Sequence, residues 1–70
     1  MSQIKQFLLN GETYYTTQKI NLFDLLIYFS YNDTFLVLEH NRLLCDKVNW
    51  NSTFLQDQDR IEIVTIVGGG

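Results

Sequence analysis

IKQFLLNGETYYTT, Ile4 to Thr17, is the stretch on which the fold of this 70-residue chain turns. Ile4–Leu9 is short and rich in apolar residues. Glu12–Thr17 carries the threonines and tyrosines that suit a pleated, half-buried surface. Between them stand Asn10 and Gly11, which both tolerate the positive φ of a type I′ turn. The segment therefore reads as a β-hairpin.

The next stretch changes period. In NLFDLLIYFSY, Asn21 to Tyr31, residues Leu22, Leu25, Leu26 and Phe29 recur at i, i+3, i+4 and i+7, one face of a helix. Asn21 suits the N-cap, and Asp24 puts a carboxylate in the first turn, where the helix dipole favours it. The helix is predicted to end near Tyr31–Asp33. A second stripe, Phe23, Ile27 and Tyr31, is expected to be tucked under neighbouring loops, with a partner contact as the alternative. Beyond it, Thr34–His40 reads as a strand, Asn41-Arg42 as a turn and Leu43–Cys45 as a short strand. Asp46–Thr53 reads as a loop or short helical turn pinned by Trp50. Gln56–Asp59 is a polar turn, and RIEIVTIV, Arg60 to Val67, is the last strand.

Hairpin, helix, strand, short strand, final strand is the order of an α+β roll with the β-grasp (ubiquitin-like) arrangement. The expectation is a mixed four- to five-stranded sheet with one main helix on one face. In that arrangement the last strand lies mid-sheet beside the first. The predicted organisation is a β-grasp domain over 1–67 and a flexible glycine tail, Gly68, Gly69 and Gly70. Along the last strand, Ile61 and Ile63 point one way and Glu62, Val64 and Ile66 the other. One helix covers one face, so Glu62 marks the open one. Val64 and Ile66 are expected to be exposed there, joined by Phe35 and Val37, as a partner-binding patch.

Composition narrows the classes. Hydrophobic residues make up 46% of the chain, with five Phe, four Tyr and one Trp, which is too much for a disordered segment. So small a chain has a marginal core. The net charge of −3, with Lys5, Lys19, Arg42, Lys47 and Arg60 scattered, argues against nucleic acid or an anionic membrane as partner. It suits a basic docking surface instead. The single cysteine, Cys45, favours a reducing compartment. Met1–Gln6 lacks the pattern of a signal peptide, and no apolar run approaches the roughly 20 residues of a membrane span. The expectation is a soluble, intracellular protein.

Enzyme chemistry is hard to find. His40 has no nucleophile at a recognisable spacing and reads as a surface or edge-strand residue. Cys45 has no neighbouring base and reads as a partly buried small side chain. Asp57 and Asp59 resemble the start of a calcium loop but lack its glycine and closing glutamate, so they read as a solvated turn. The three glycines are not followed by a helix or lysine that would make a phosphate loop. What remains is a terminal carboxylate. Residues without Cβ present it without hindrance and thread a narrow channel. A carboxylate is a poor electrophile, so its use requires activation, as by an acyl-adenylate formed on a partner. The bland reading of the tail is a frayed terminus.

LNG at Leu9–Gly11, DLL at Asp24–Leu26, VLEHN at Val37–Asn41, LQDQDRIEIV at Leu55–Val64 and the closing VGGG occur in this order over nearly the whole chain. In this the chain resembles the ThiS family of sulfur carriers in thiamine biosynthesis. The resemblance implies a protein co-substrate and no catalytic residue. A ThiF-like adenylating enzyme would use ATP to activate the Gly70 carboxylate. Sulfur from a cysteine desulfurase would then displace AMP to leave a thiocarboxylate. A ThiG-like thiazole synthase would take up that sulfur. The chain itself would bind no cofactor or metal. Two features depart from the family pattern: a few extra residues before LNG, and a helix unusually rich in aromatics.

Rival readings are the small subunit of molybdopterin synthase, a ubiquitin-like protein modifier, and a β-grasp interaction module with an inert tail. The first commonly has a proline before its diglycine, and this chain contains none. A cytoplasmic location is expected. The abundance of Asn, Ile and Tyr suggests an AT-rich genome, with plastid stroma as the alternative.

Overall fold

The computed structural model describes residues 3–31 and 35–66. The elements run β1 (Lys5–Leu9), β2 (Glu12–Thr16), α1 (Leu22–Tyr28), β3 (Leu36–His40), β4 (Leu43–Leu44) and β5 (Arg60–Thr65). A 3-10 turn at Lys47–Asn49 lies between β4 and β5. The strands form one sheet in the order β2-β1-β5-β3-β4. β5 is parallel to β1 and antiparallel to β3. This is the β-grasp arrangement expected from the element order.

The hairpin closes as predicted, with Asn10 at φ 50° and Gly11 at φ 83°. Asn10 does more than turn the chain. Its Oδ1 accepts from Ile63 N at 2.8 Å, and its Nδ2 donates to the Tyr31 hydroxyl at 3.1 Å. One side chain thus joins the hairpin to β5 and to the exit of α1. Asn41 and Arg42, at φ 53° and 71°, make the tight turn between β3 and β4.

Asn21 caps α1 by accepting from Asp24 N at 2.7 Å. Leu22, Leu25 and Leu26 form its buried face. The helix ends at Tyr28, earlier than the Tyr31–Asp33 expected from periodicity. Ser30 takes a left-handed conformation at φ 59°. Ser30 N then bonds Ile27 O and Tyr31 N bonds Leu26 O, the two hydrogen bonds of a Schellman termination. Glycine usually holds that position, and here a serine does. The second stripe is also corrected. Phe23 and Tyr31 pack against the core, but Ile27 is 61% exposed.

A single core lies between α1 and the sheet. Phe7, Leu9, Leu38, Ile61 and Ile63 come from strands, and Trp50 and Leu55 from the long connection. Trp50 is buried with its indole N–H donating to Cys45 O at 2.9 Å, so its polar tip is satisfied.

Two polar residues depart from expectation. Asp59 is not solvated but buried. Its carboxylate accepts from Gln56 N at 2.8 Å and Asn41 Nδ2 at 3.0 Å, and lies 2.8 Å from His40 Nε2. His40 is therefore not on an edge strand, and it is only partly exposed. It stands on β3 between β4 and β5, opposite the buried Ile61, and forms an ion pair with Asp59 when protonated. Chain separation hid the contact. Asp57 is exposed as expected, though its Oδ1 holds Gln6 N at 2.7 Å.

Candidate functional site

The face of the sheet turned away from α1 gathers the four apolar residues singled out in the sequence. Alternation along β5 buries Ile61 and Ile63 and exposes Glu62, Val64 and Ile66. The β3–β5 register decides which residues meet them. Val37 lies directly across from Val64, and Phe35 O accepts from Ile66 N at 2.7 Å. Phe35, Val37, Val64 and Ile66 thus form two adjacent rows of one patch. Phe35, Val64 and Ile66 are each more than half exposed. Such a cluster is costly to leave in water.

Sequence reasoning missed two parts of this surface. Leu44, 70% exposed on β4, pairs with Glu39 and widens the patch on its outer side. The short strand was read at Leu43–Cys45, but its register against β3, which sets the face of Leu44, is not readable from the sequence. A hollow of about 310 Å³ lined by Val37, Leu44, Cys45, Lys47 and Trp50 opens beside it. Glu39 and Glu62 face each other across β3 and β5 in the next row. Like charges directly opposite disfavour a sheet slightly. They give the patch an acidic border that suits a cationic partner.

Gly68, Gly69 and Gly70, the predicted tail, lie outside the described residues, as does Val67. β5 ends at Thr65, and the described chain reaches Ile66 at the margin of the patch.

Elsewhere the chemistry is sparse. Among the described residues no serine, threonine or cysteine side chain hydrogen-bonds to His40. Cys45 is half-buried, with its Sγ 4.0 Å from Thr53 Oγ1. No three of His, Cys, Asp or Glu converge as a metal site among the described residues. No helix among them is long and apolar enough to cross a membrane.

Comparison with known proteins agrees with this picture. The ThiS family model matches residues 7–70. The ycf40 protein of Trieres chinensis is 54% identical over the whole chain and 96% of its own length. The ycf40 proteins of Pyropia yezoensis and Porphyra purpurea are 40% and 39% identical over 89% of the chain and 87% of theirs. A crystal structure titled as the thiamine biosynthesis protein ThiS of Geobacter metallireducens shares the fold. Its TM-score is 0.78 at 20% identity, covering 93% of this chain and 99% of that one. With its glycines inside the matched span and its hairpin, helix and central last strand in the family's order, the chain belongs to the ThiS family.

Proposed function

We propose that the chain is a sulfur carrier whose Gly70 carboxylate is loaded by one enzyme and unloaded by another. A ThiF-like enzyme consumes ATP to form the acyl-adenylate, releasing pyrophosphate. A persulfide formed by a cysteine desulfurase attacks the acyl carbon and AMP leaves; a thiol then attacks the S–S bond of the acyl persulfide, is itself oxidised to a disulfide, and releases the thiocarboxylate. The resulting thiocarboxylate supplies sulfur to a ThiG-like synthase that closes the thiazole ring of thiamine. Gly68 and Gly69 give reach, since residues without Cβ enter a channel too narrow for others.

The observation that carries this reading is the apolar patch at the end of β5. Val64 and Ile66 lie a few residues before the glycines, so a partner seated on them has the chain end within reach. Glu39 and Glu62 beside the patch favour a basic docking surface on that partner. The ycf40 designation shared by three relatives supports plastid stroma as the setting.

Intact-mass measurement after incubation with ATP, a ThiF-like enzyme, a desulfurase and cysteine tests the proposal. One oxygen of the terminal glycine should be replaced by sulfur. No mass gain with an activating enzyme that loads its own carrier would sink the idea. Val64→Asp should fold normally and load at least about tenfold more slowly, because it puts a charge at the centre of the docking patch.

A further inference from the structure

The far margin of the sheet offers a second surface. β2 is an outer strand. In the hairpin, Leu9 pairs with Glu12 and Phe7 with Tyr14, and the two-residue turn makes these the hydrogen-bonded pairs. Leu8 and Asn10 accordingly send their N–H groups the other way, to Asp59 O and Ile61 O. By the same alternation Thr13 and Tyr15 point their N–H and C=O groups away from β1. Neither makes a backbone hydrogen bond beyond the hairpin among the described residues. Edge strands are commonly guarded by lysine, proline or a bulge. Glu12–Thr16, ETYYT, has none of these.

Beside this edge runs a groove of about 390 Å³ between β2 and α1, lined by Tyr14, Ile20, Leu25, Tyr28 and Phe29 among others. Its rings step outward from the core. Phe7 stacks on Tyr14 at 5.7 Å, Tyr14 meets Phe29 edge-on at 4.9 Å, and Phe29 meets Tyr28 at 5.1 Å. Tyr28 ends the series 79% exposed.

A carboxylate stands towards each end of the groove. Asp24 is the one charged residue in the groove lining, beside Gln18 and Ile20. Past Tyr14 at the other end, Glu12 accepts the Tyr14 hydroxyl at 3.0 Å. Of the nearby cations, Lys19 Nζ turns to the Phe54 ring, 5.1 Å from its centre, while Lys5 Nζ stays at the groove's rim, donating to Gln18 O at 3.4 Å.

We propose that this edge and groove receive an extended basic segment of a partner protein, which adds to the sheet as a strand beside β2. Its backbone pairs with Thr13 and Tyr15. Side chains at i, i+2 and i+4 of a strand fall on one side, so the fitting pattern is basic-x-apolar-x-basic. The apolar residue enters the aromatic groove, and the flanking cations reach Asp24 and Glu12. The surface lies away from the Val64 patch, so a partner held here leaves the end of β5 free.

The probe is the peptide Ac-TKTITKT-NH2, titrated into isotope-labelled protein and followed by amide chemical shifts. Shifts are expected at Thr13, Tyr15, Tyr28 and Phe29. Of two analogues N-methylated on alternate amides, one should bind about fivefold more weakly and the other like the parent, as one-sided backbone pairing demands. The acidic peptide Ac-TETITET-NH2 should not bind. Tyr15→Pro removes an outward donor without touching the β1–β2 ladder and should weaken binding about fivefold. If that variant does not fold, the paired analogues decide alone. Shifts confined to Val37, Leu44 and Val64, no shifts at all, equal binding of the acidic peptide, or two N-methylated analogues that both match the parent would overturn the proposal. Peptide-free dimers paired through β2 would overturn it too, by giving the edge to a second copy.

Discussion

Asp59 sits at 5% exposure after three exposed polar residues, Gln56, Asp57 and Gln58. Its carboxylate joins Gln56 N, Asn41 Nδ2 and His40 Nε2, while Asn41 Oδ1 receives Arg60 N at 2.8 Å. Asp59→Ala strands several of these groups at once and should lower stability in urea by about 2–4 kcal/mol. Spacing along the chain gives no hint of this pair, because His40 and Asp59 meet only through the β3–β5 register. Tyr14 is a second residue whose neighbours matter. Glu12, by accepting its hydroxyl hydrogen bond, holds its ionisation above the ordinary value of 10.0, with burial and charge repulsion adding. A raised folded-state value means that this contribution is complete below the ordinary tyrosine range and lost as pH climbs through the raised value. Absorbance titration should show Tyr14 ionising above the ordinary tyrosine value, and Glu12→Gln should bring it back.

At the scale of elements, α1 is a seven-residue helix, too short to persist without its caps and its packing. Asn21→Ala removes the one side-chain cap and should cost about 1 kcal/mol in thermal or urea unfolding. Ser30→Gly should do the opposite and stabilise by about 0.5–1 kcal/mol, because Ser30 at φ 59° occupies a glycine's conformation. The start of this helix was legible in the sequence because Asn21 is a strong capping type. The end was not, because a serine fills the terminating position and the apolar spacing runs on past it. The hairpin was legible from Asn10-Gly11 alone. Parity in β5 likewise exposed Val64 and Ile66, but Leu44 stayed hidden until the register of β3 against β4 was known. The free donors of β2 follow from the turn type, yet the groove beside them needs α1 in place.

Across the whole molecule a single core couples α1 to β1, β2, β3 and β5, with Trp50 at 2% exposure inside it. Trp50 is the only tryptophan, so its emission should report the same urea midpoint as far-ultraviolet circular dichroism; two separated transitions would refute a single cooperative unit. The sheet order places the last strand between two partners, hydrogen-bonded on both sides and tied once more where Asn10 grips Ile63 N. A tug on the C-terminal end of that strand cannot peel it away bond by bond. It must shear two ladders together, so the domain acts as a stop-knot on its own leash, able to stay knotted while another machine pulls.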